Sequence, residues 1–162
     1  MRDIKIFVMR FPSLVTLRCC VNVSAVVGVD AELDVLRGDD VNQREDRIVS
    51  QWREVSADEK HELREKFDEI LRPLGLQTRL LVVERANSIA LYFICMTLAA
   101  LMSLRDHWRT QQLRVIVQSL FRLLADTDDD DVVYVKRLTW PVTDYERCLQ
   151  FFNSVKGKPW IL

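Results

Sequence analysis

The sequence has little of what the common catalytic and cofactor-binding motifs require. Only four glycines and two histidines occur among 162 residues, and the glycines lie far apart. They form neither a P-loop nor a G-x-G-x-x-G turn, which excludes the usual phosphate-binding loops. The four cysteines form no C-x-x-C pair and are too sparse for a disulfide scaffold. We therefore expect reduced thiols, a cytoplasmic protein, no metal, no cofactor and no enzymatic activity.

An excess of charge of either sign is also missing. The chain carries 23 basic and 24 acidic residues, a formal charge of −1. A nucleic-acid partner is therefore not expected, because such proteins present a broad basic surface. Five charged residues interrupt the N-terminal apolar segment, so it does not resemble a signal peptide.

Two clusters of possible metal ligands do not match a known site. Asp126, Asp128 and Asp130 have the alternate spacing of a calcium loop, but Asp131 stands where that loop needs glycine and Arg137 where it needs glutamate. A solvated acidic turn explains them better. The two histidines, His61 and His107, lack local partners for a zinc site or a catalytic triad.

The one long apolar stretch, residues 89–104, is 16 residues long. A membrane-spanning helix needs about 20. Its composition changes from aromatic and β-branched residues at 91–94 to helix-forming residues at 98–102, which predicts a buried strand followed by a helix. Helical spacing of apolar residues continues to residue 125, predicting one long helix. The alternative is a small membrane-associated protein that uses residues 89–104.

The N-terminal third is the hardest part to interpret. Residues 1–37 show no sustained period, although some of them can form a first strand. Residues 38–55 predict a polar helix, lying on the surface or acting as a linker arm, with Asp40 as its N-cap. We expect the ordered body to be residues 56–157.

Capping signals and periodicity define that body. Residues 56–59 have the pattern of a capping box and predict a helix, which continues in an apolar stripe and closes at Pro73 and Gly75. Residues 80–83 and 89–96 predict a hairpin, and residues 132–138 an edge strand. A second capping box at 143–146 predicts a last helix ending at Gly157.

These elements follow one another in the order α-β-β-α-β-α. One strand contributed by residues 1–37 would convert this order into a split βαβ arrangement. The sequence therefore predicts an α+β fold, a ferredoxin-like sandwich in which helices cover an antiparallel sheet.

From residue 56 to 157 the chain resembles the TRADD-like N-terminal domain family. The resemblance is carried by the strand at 88–95, the helix to Ala125, the strand at 132–138, and the string Glu146-Arg147-Cys148-Leu149. It implies a non-catalytic adaptor domain in apoptosis, inflammatory or innate-immune signalling. The partner that it implies is a TRAF-type adaptor protein.

Two groups of residues are candidates for contacting a partner. Tyr134, Lys136 and Arg137 lie on the predicted edge strand, where a partner strand or loop can dock on unpaired backbone groups. Arg105, Trp108 and Arg109 combine residue types that are favoured at interfaces. The alternatives are that the edge cations only prevent aggregation and that Trp108 packs in the core of an amphipathic helix.

Overall fold

The computed structural model describes residues 4–8, 18–19, 24–35, 41–57, 61–125 and 133–156. They form an α+β fold. The elements are β1 (Ile4–Val8), β2 (Arg18–Cys19), β3 (Ser24–Val35), α1 (Val41–Ser56), α2 (His61–Leu71), β4 (Thr78–Arg85), β5 (Ile89–Cys95), α3 (Leu98–Arg109), α4 (Gln112–Ala125), β6 (Val133–Thr139) and α5 (Val142–Lys156). Several sequence predictions lie outside these residues, namely those for Asp40, Asp126, Asp128, Asp130 and Gly157.

The central element of the sheet is the long strand β3. It pairs antiparallel with β5 through residues 25–31 and with β6 through residues 30–35. Asp30 and Ala31 pair with both strands, so β5 and β6 lie on opposite sides of β3. With the β4–β5 hairpin, this gives four antiparallel strands in the order β6-β3-β5-β4. The short strand β1 pairs in parallel with residues 24–26 and is itself joined to β2.

The predicted order α-β-β-α-β-α differs from this arrangement. Three strands precede the first helix, and α1 adds a helix before α2. The long helix predicted up to Ala125 is two helices, α3 and α4. They separate because Gln111 has φ 67°, in the left-handed region, and Thr110 caps the end of α3.

The apolar stretch at 89–104 forms a strand and then a helix, as predicted. Every residue of β5 except Tyr92 is buried. The strand lies between β3 and β4, and Ile89, Leu91, Phe93 and Cys95 belong to the core with residues of the helices. The change to helix occurs at Thr97, whose hydroxyl accepts a hydrogen bond from the Ala100 N–H at 3.0 Å. Among the helices of the described residues, none has the length and apolar character that crossing a membrane requires.

The polar helix predicted at residues 38–55 is α1, and one side of it packs against the core, so it is a surface helix and not a linker arm. It buries Ile48, Val49, Trp52 and Val55, and Trp52 contacts Phe67 of α2 with 5.3 Å between ring centroids. The start of the helix predicted at residues 56–59 is also wrong. Ser56 is the last residue of α1, and its hydroxyl donates to the Arg53 carbonyl at 3.0 Å.

Side chains of β3 alternate between two environments, as the two-residue period of a strand requires. The odd-numbered residues from Ala25 to Leu33 belong to one core, together with residues from all five helices. The even-numbered residues lie on the opposite side, where Asp30 and Glu32 are exposed. The helices therefore pack on one face of the sheet. On the other face Ser24 and Val26 are buried, and the polar residues Asp30 and Glu32 are exposed.

Candidate functional site

The face of the sheet opposite the helices, which we call the outer sheet face, contains the first group of predicted residues. Residues directly opposite each other on paired strands share a face. Asp34 lies opposite Tyr134, and Glu32 lies opposite Arg137. Ala90 lies opposite both Asp30 and Glu84, and Tyr92 lies opposite Gly28. Glu84 and Tyr92 are therefore on the same face as Asp30.

Charges on the outer sheet face form exposed pairs. The Tyr134 hydroxyl donates to Asp34 Oδ2 at 2.9 Å, and this hydrogen bond raises the pKa of Tyr134. Lys136 Nζ and Arg137 Nε lie 3.8 Å and 4.0 Å from the carboxylate of Glu32. Such exposed pairs contribute little to stability and exchange partners easily. Both cations are therefore accessible to a carboxylate of a partner.

The outer edge of β6 is closed, contrary to the expectation of unpaired backbone groups. Gln118 Oε1 accepts from the Val135 N–H at 3.1 Å, and Arg114 Nη1 donates to the Val135 carbonyl at 3.1 Å. Arg122 Nε donates to the Val133 carbonyl at 3.4 Å. We call Arg114, Gln118 and Arg122 the edge ladder, since their spacing of four places them in one row along α4. A partner strand would have to displace these side chains to pair with the Val133 carbonyl or with the N–H and carbonyl of Val135.

The second group of predicted residues lies at the end of β6, around Arg105. The guanidinium carbon of Arg105 lies 4.2 Å from the ring centroid of Trp108, 5.0 Å from that of Trp140 and 4.9 Å from that of Tyr145. We call these four residues the arginine cage. Arg105 Nη1 donates to the Trp140 carbonyl at 2.9 Å. Burial of the group lowers the pKa of Arg105, but an arginine side chain still stays charged in a protein.

A groove of about 370 Å³ opens beside the arginine cage. Its walls contain Met102, Arg105, Asp106, Arg109, Val142 and Tyr145. Arg105 and Arg109 thus lie at the same site, as their proximity in the sequence indicates. Trp108 is not in the groove wall: it packs against the core, and its indole N–H donates to the Leu138 carbonyl at 2.9 Å. The core interpretation is therefore the better one for Trp108.

Other candidates for reaction chemistry have ordinary structural surroundings. Nδ1 of His107 donates to the Ser103 carbonyl within α3 at 2.7 Å. Burial raises the pKa of the Cys95 thiol to about 12 and that of Cys148 to about 11. Both thiols are protonated at neutral pH and are poor nucleophiles. Among the residues that the structure describes, no group of three acidic, histidine or cysteine residues is placed to hold a metal ion.

Sequence reasoning missed Trp140 and Tyr145 as members of the arginine cage. Trp140 directly precedes Pro141, and Tyr145 lies within the capping box predicted at residues 143–146. Arg105 is 35 residues before Trp140 in the chain. No local pattern connects residues at that separation, so only the fold brings them together.

Comparisons of the chain with protein-family models, with curated proteins and with solved structures give no match.

Proposed function

We propose that this protein is a cytoplasmic, non-catalytic adaptor module in apoptosis, inflammatory or innate-immune signalling, and that its outer sheet face docks a TRAF-type adaptor protein. The observation that carries the proposal is the outer sheet face itself. A rigid sheet, supported by helices on its other side, presents Tyr134, Lys136 and Arg137 beside the carboxylates of Glu32 and Asp34. The TRAF-type partner comes from the resemblance to the TRADD-like N-terminal domain.

A ferredoxin-like arrangement of the sheet is part of this proposal. Along the chain, the strands of the four-stranded sheet follow one another as β3, β4, β5 and β6. Within the sheet they lie in the order β6-β3-β5-β4, so the fourth strand is next to the first and the third is next to the second. All three neighbouring pairs are antiparallel. This order supports two split βαβ units, with α1 and α2 in the first connection and α3 and α4 in the second.

Docking on this face is expected to use side chains. Because the edge ladder occupies the outer carbonyl of Val133 and the outer N–H and carbonyl of Val135, addition of a partner strand there is disfavoured. Exposed ion pairs and a half-buried tyrosine can instead exchange their partners for those of a docked protein. Charge complementarity of this kind determines specificity and association rate more than affinity.

The test is a calorimetric titration with the purified partner-binding domain of a TRAF-type adaptor. Tyr134→Ala, Lys136→Ala and Arg137→Ala, combined in one variant, should abolish binding and leave the melting temperature within a few degrees of the parent. A matched control combines Lys66→Ala, Arg72→Ala and Leu76→Ala, three exposed positions around α2, and should bind normally. Undiminished binding by the first variant would refute docking on the outer sheet face.

A further inference from the structure

The groove beside the arginine cage combines two cations with two apolar side chains. Arg105 uses Nη1 on the Trp140 carbonyl, and within the described part of the chain neither Arg105 nor Arg109 forms an ion pair with a carboxylate. Met102 and Val142, on the same groove, are 49% and 54% exposed. Half-exposed apolar side chains beside guanidinium groups that form no ion pair are a combination found in binding sites.

The charge of the groove selects the ligand. Arg105 and Arg109 contribute two positive charges and Asp106 one negative charge, which leaves one positive charge. A single carboxylate balances that charge, whereas Asp106 opposes a doubly charged phosphate. Guanidinium groups also match the planar geometry of a carboxylate. Tyr145, which lines the groove from α5, carries a neutral hydroxyl that can supply a further donor.

The size of the groove limits the length of the ligand. About 370 Å³ is at the small end of the range for ligand pockets, roughly 300–1,000 Å³. It suits one acidic side chain and one or two apolar neighbours. Helix α3 contributes Met102 and the three charged residues, and α5 contributes Val142 and Tyr145. Successive side chains of an extended peptide point to opposite sides, so one can face the arginines while its neighbour contacts an apolar side chain.

We infer that this groove binds a short acidic peptide segment of a partner protein, in which an aspartate or glutamate carboxylate contacts Arg109 and Arg105 and an adjacent aliphatic side chain packs on Met102 and Val142. The arginine cage holds Arg105 in place for this contact, because three rings and the Trp140 carbonyl restrict its guanidinium. The site is separate from the outer sheet face and does not depend on docking of a TRAF-type adaptor there.

The probe is an acetylated and amidated hexapeptide of alternating leucine and glutamate, titrated into the isotope-labelled full chain and followed by NMR. We expect shifts at the side-chain Nε–H groups of Arg105 and Arg109 and at the Met102 methyl group. The same peptide with glutamine in place of glutamate should bind about tenfold more weakly, as should Arg109→Gln with the original peptide, since each change removes a charge-assisted contact. Arg72→Gln, at an exposed position outside the groove, is the matched control.

The inference would be overturned if the glutamine peptide bound with the same affinity, or if no chemical shifts changed at the groove. Tighter binding of a peptide with phosphoserine at the glutamate positions would also overturn it, because the groove would then be a phosphate site. Arg109 is exposed, so its variant should fold. The Tyr134, Lys136 and Arg137 triple variant should still bind the hexapeptide, and Arg109→Gln should still bind the TRAF-type domain, so that failure of either site is recognised separately.

Discussion

At the scale of single residues, the arginine cage shows how the contacts around a charged side chain allow it to be buried. Arg105 is 9% exposed, yet its plane contacts three aromatic rings and its Nη1 reaches a carbonyl. Guanidinium is weakly hydrated and stacks on rings, whereas an ammonium is a compact and strongly hydrated charge. The chemistry at this position therefore depends on arginine specifically and not on positive charge alone.

We predict that Arg105→Lys lowers the free energy of unfolding by about 1–2 kcal/mol, because the variant keeps the charge and loses the stacking. Arg109→Lys, on the exposed side of the same helix, should change it by less than about 0.5 kcal/mol. Urea unfolding of the three proteins measures the difference. Equal stability of all three would show that the rings do not hold the guanidinium.

The buried thiols predict how stability depends on pH. Burial raises the pKa of Cys95 to about 12 and that of Cys148 to about 11, whereas the unfolded chain loses these protons from about pH 9. The folded state then binds more protons than the unfolded state, so the free energy of unfolding falls as pH rises from about 9 to 12. Each thiol contributes at most about 1.4 kcal/mol per pH unit.

Cys95→Ala combined with Cys148→Ala should make this decline shallower between pH 9 and 11. The measurement is urea unfolding at intervals of half a pH unit in reducing buffer. The quantity compared between the parent and the double variant is the slope of the free energy of unfolding against pH. The cavities left by the substitutions lower stability by the same amount at every pH, so they do not change this slope. Identical slopes would mean that the thiols titrate normally in the folded protein.

At the scale of secondary structure, the sequence predicted elements whose cause is local. The apolar stripe of α2 contains Leu63 and Phe67. A 3-10 turn (Arg72–Leu74) follows α2 and ends at Gly75, which has φ 86°, at the position where glycine predicted the end of the helix. The hairpin of β4 and β5 was also predicted correctly. The edge ladder escaped prediction because Arg114 and Arg122 look like the solvated face of an amphipathic helix, and nothing in α4 itself shows that a strand edge lies beside them.

Removal of the edge ladder would expose the outer edge of β6. With Arg114→Ala, Gln118→Ala and Arg122→Ala combined, the outer backbone groups of Val133 and Val135 lose their partners, which costs about 1–3 kcal/mol for each group that stays buried. An open edge of this kind pairs with another open edge. We therefore expect the variant to self-associate with increasing concentration, as sedimentation velocity would show.

The matched control replaces three other α4 residues, Gln112, Val115 and Ser119, with alanine. It removes side chains from the same helix and leaves the edge ladder intact, so it should remain in the parent's state of association. A triple ladder variant that sediments like this control at all concentrations would contradict the sealing role.

At the scale of the whole molecule, the largest gap in prediction concerned β3. Residues 28–35 alternate between apolar and polar positions apart from Gly28, but the surrounding segment has no period, and the strand contains small residues such as Ala25 and Ala31. Its importance comes from pairing with β5 and β6, which lie about 60 and 100 residues further along the chain. No local pattern carries that information, so a body confined to residues 56–157 was expected.

A body confined to residues 56–157 lacks the central strand and should not fold. Val27, Val29 and Leu33 alone bury side chains worth about 5–9 kcal/mol, which is comparable with the whole stability of a typical domain, about 5–15 kcal/mol. Without β3, strands β5 and β6 also lose their shared neighbour and all of its backbone hydrogen bonds.

We expect residues 56–157 to show no cooperative thermal transition by circular dichroism, while residues 22–157 retain one. Addition of a synthetic peptide of residues 22–37 to the shorter fragment should restore part of the transition, because the peptide supplies the missing strand. A cooperative transition of the shorter fragment without the peptide would show that β3 is dispensable and that the fold is complete from residue 56 onward.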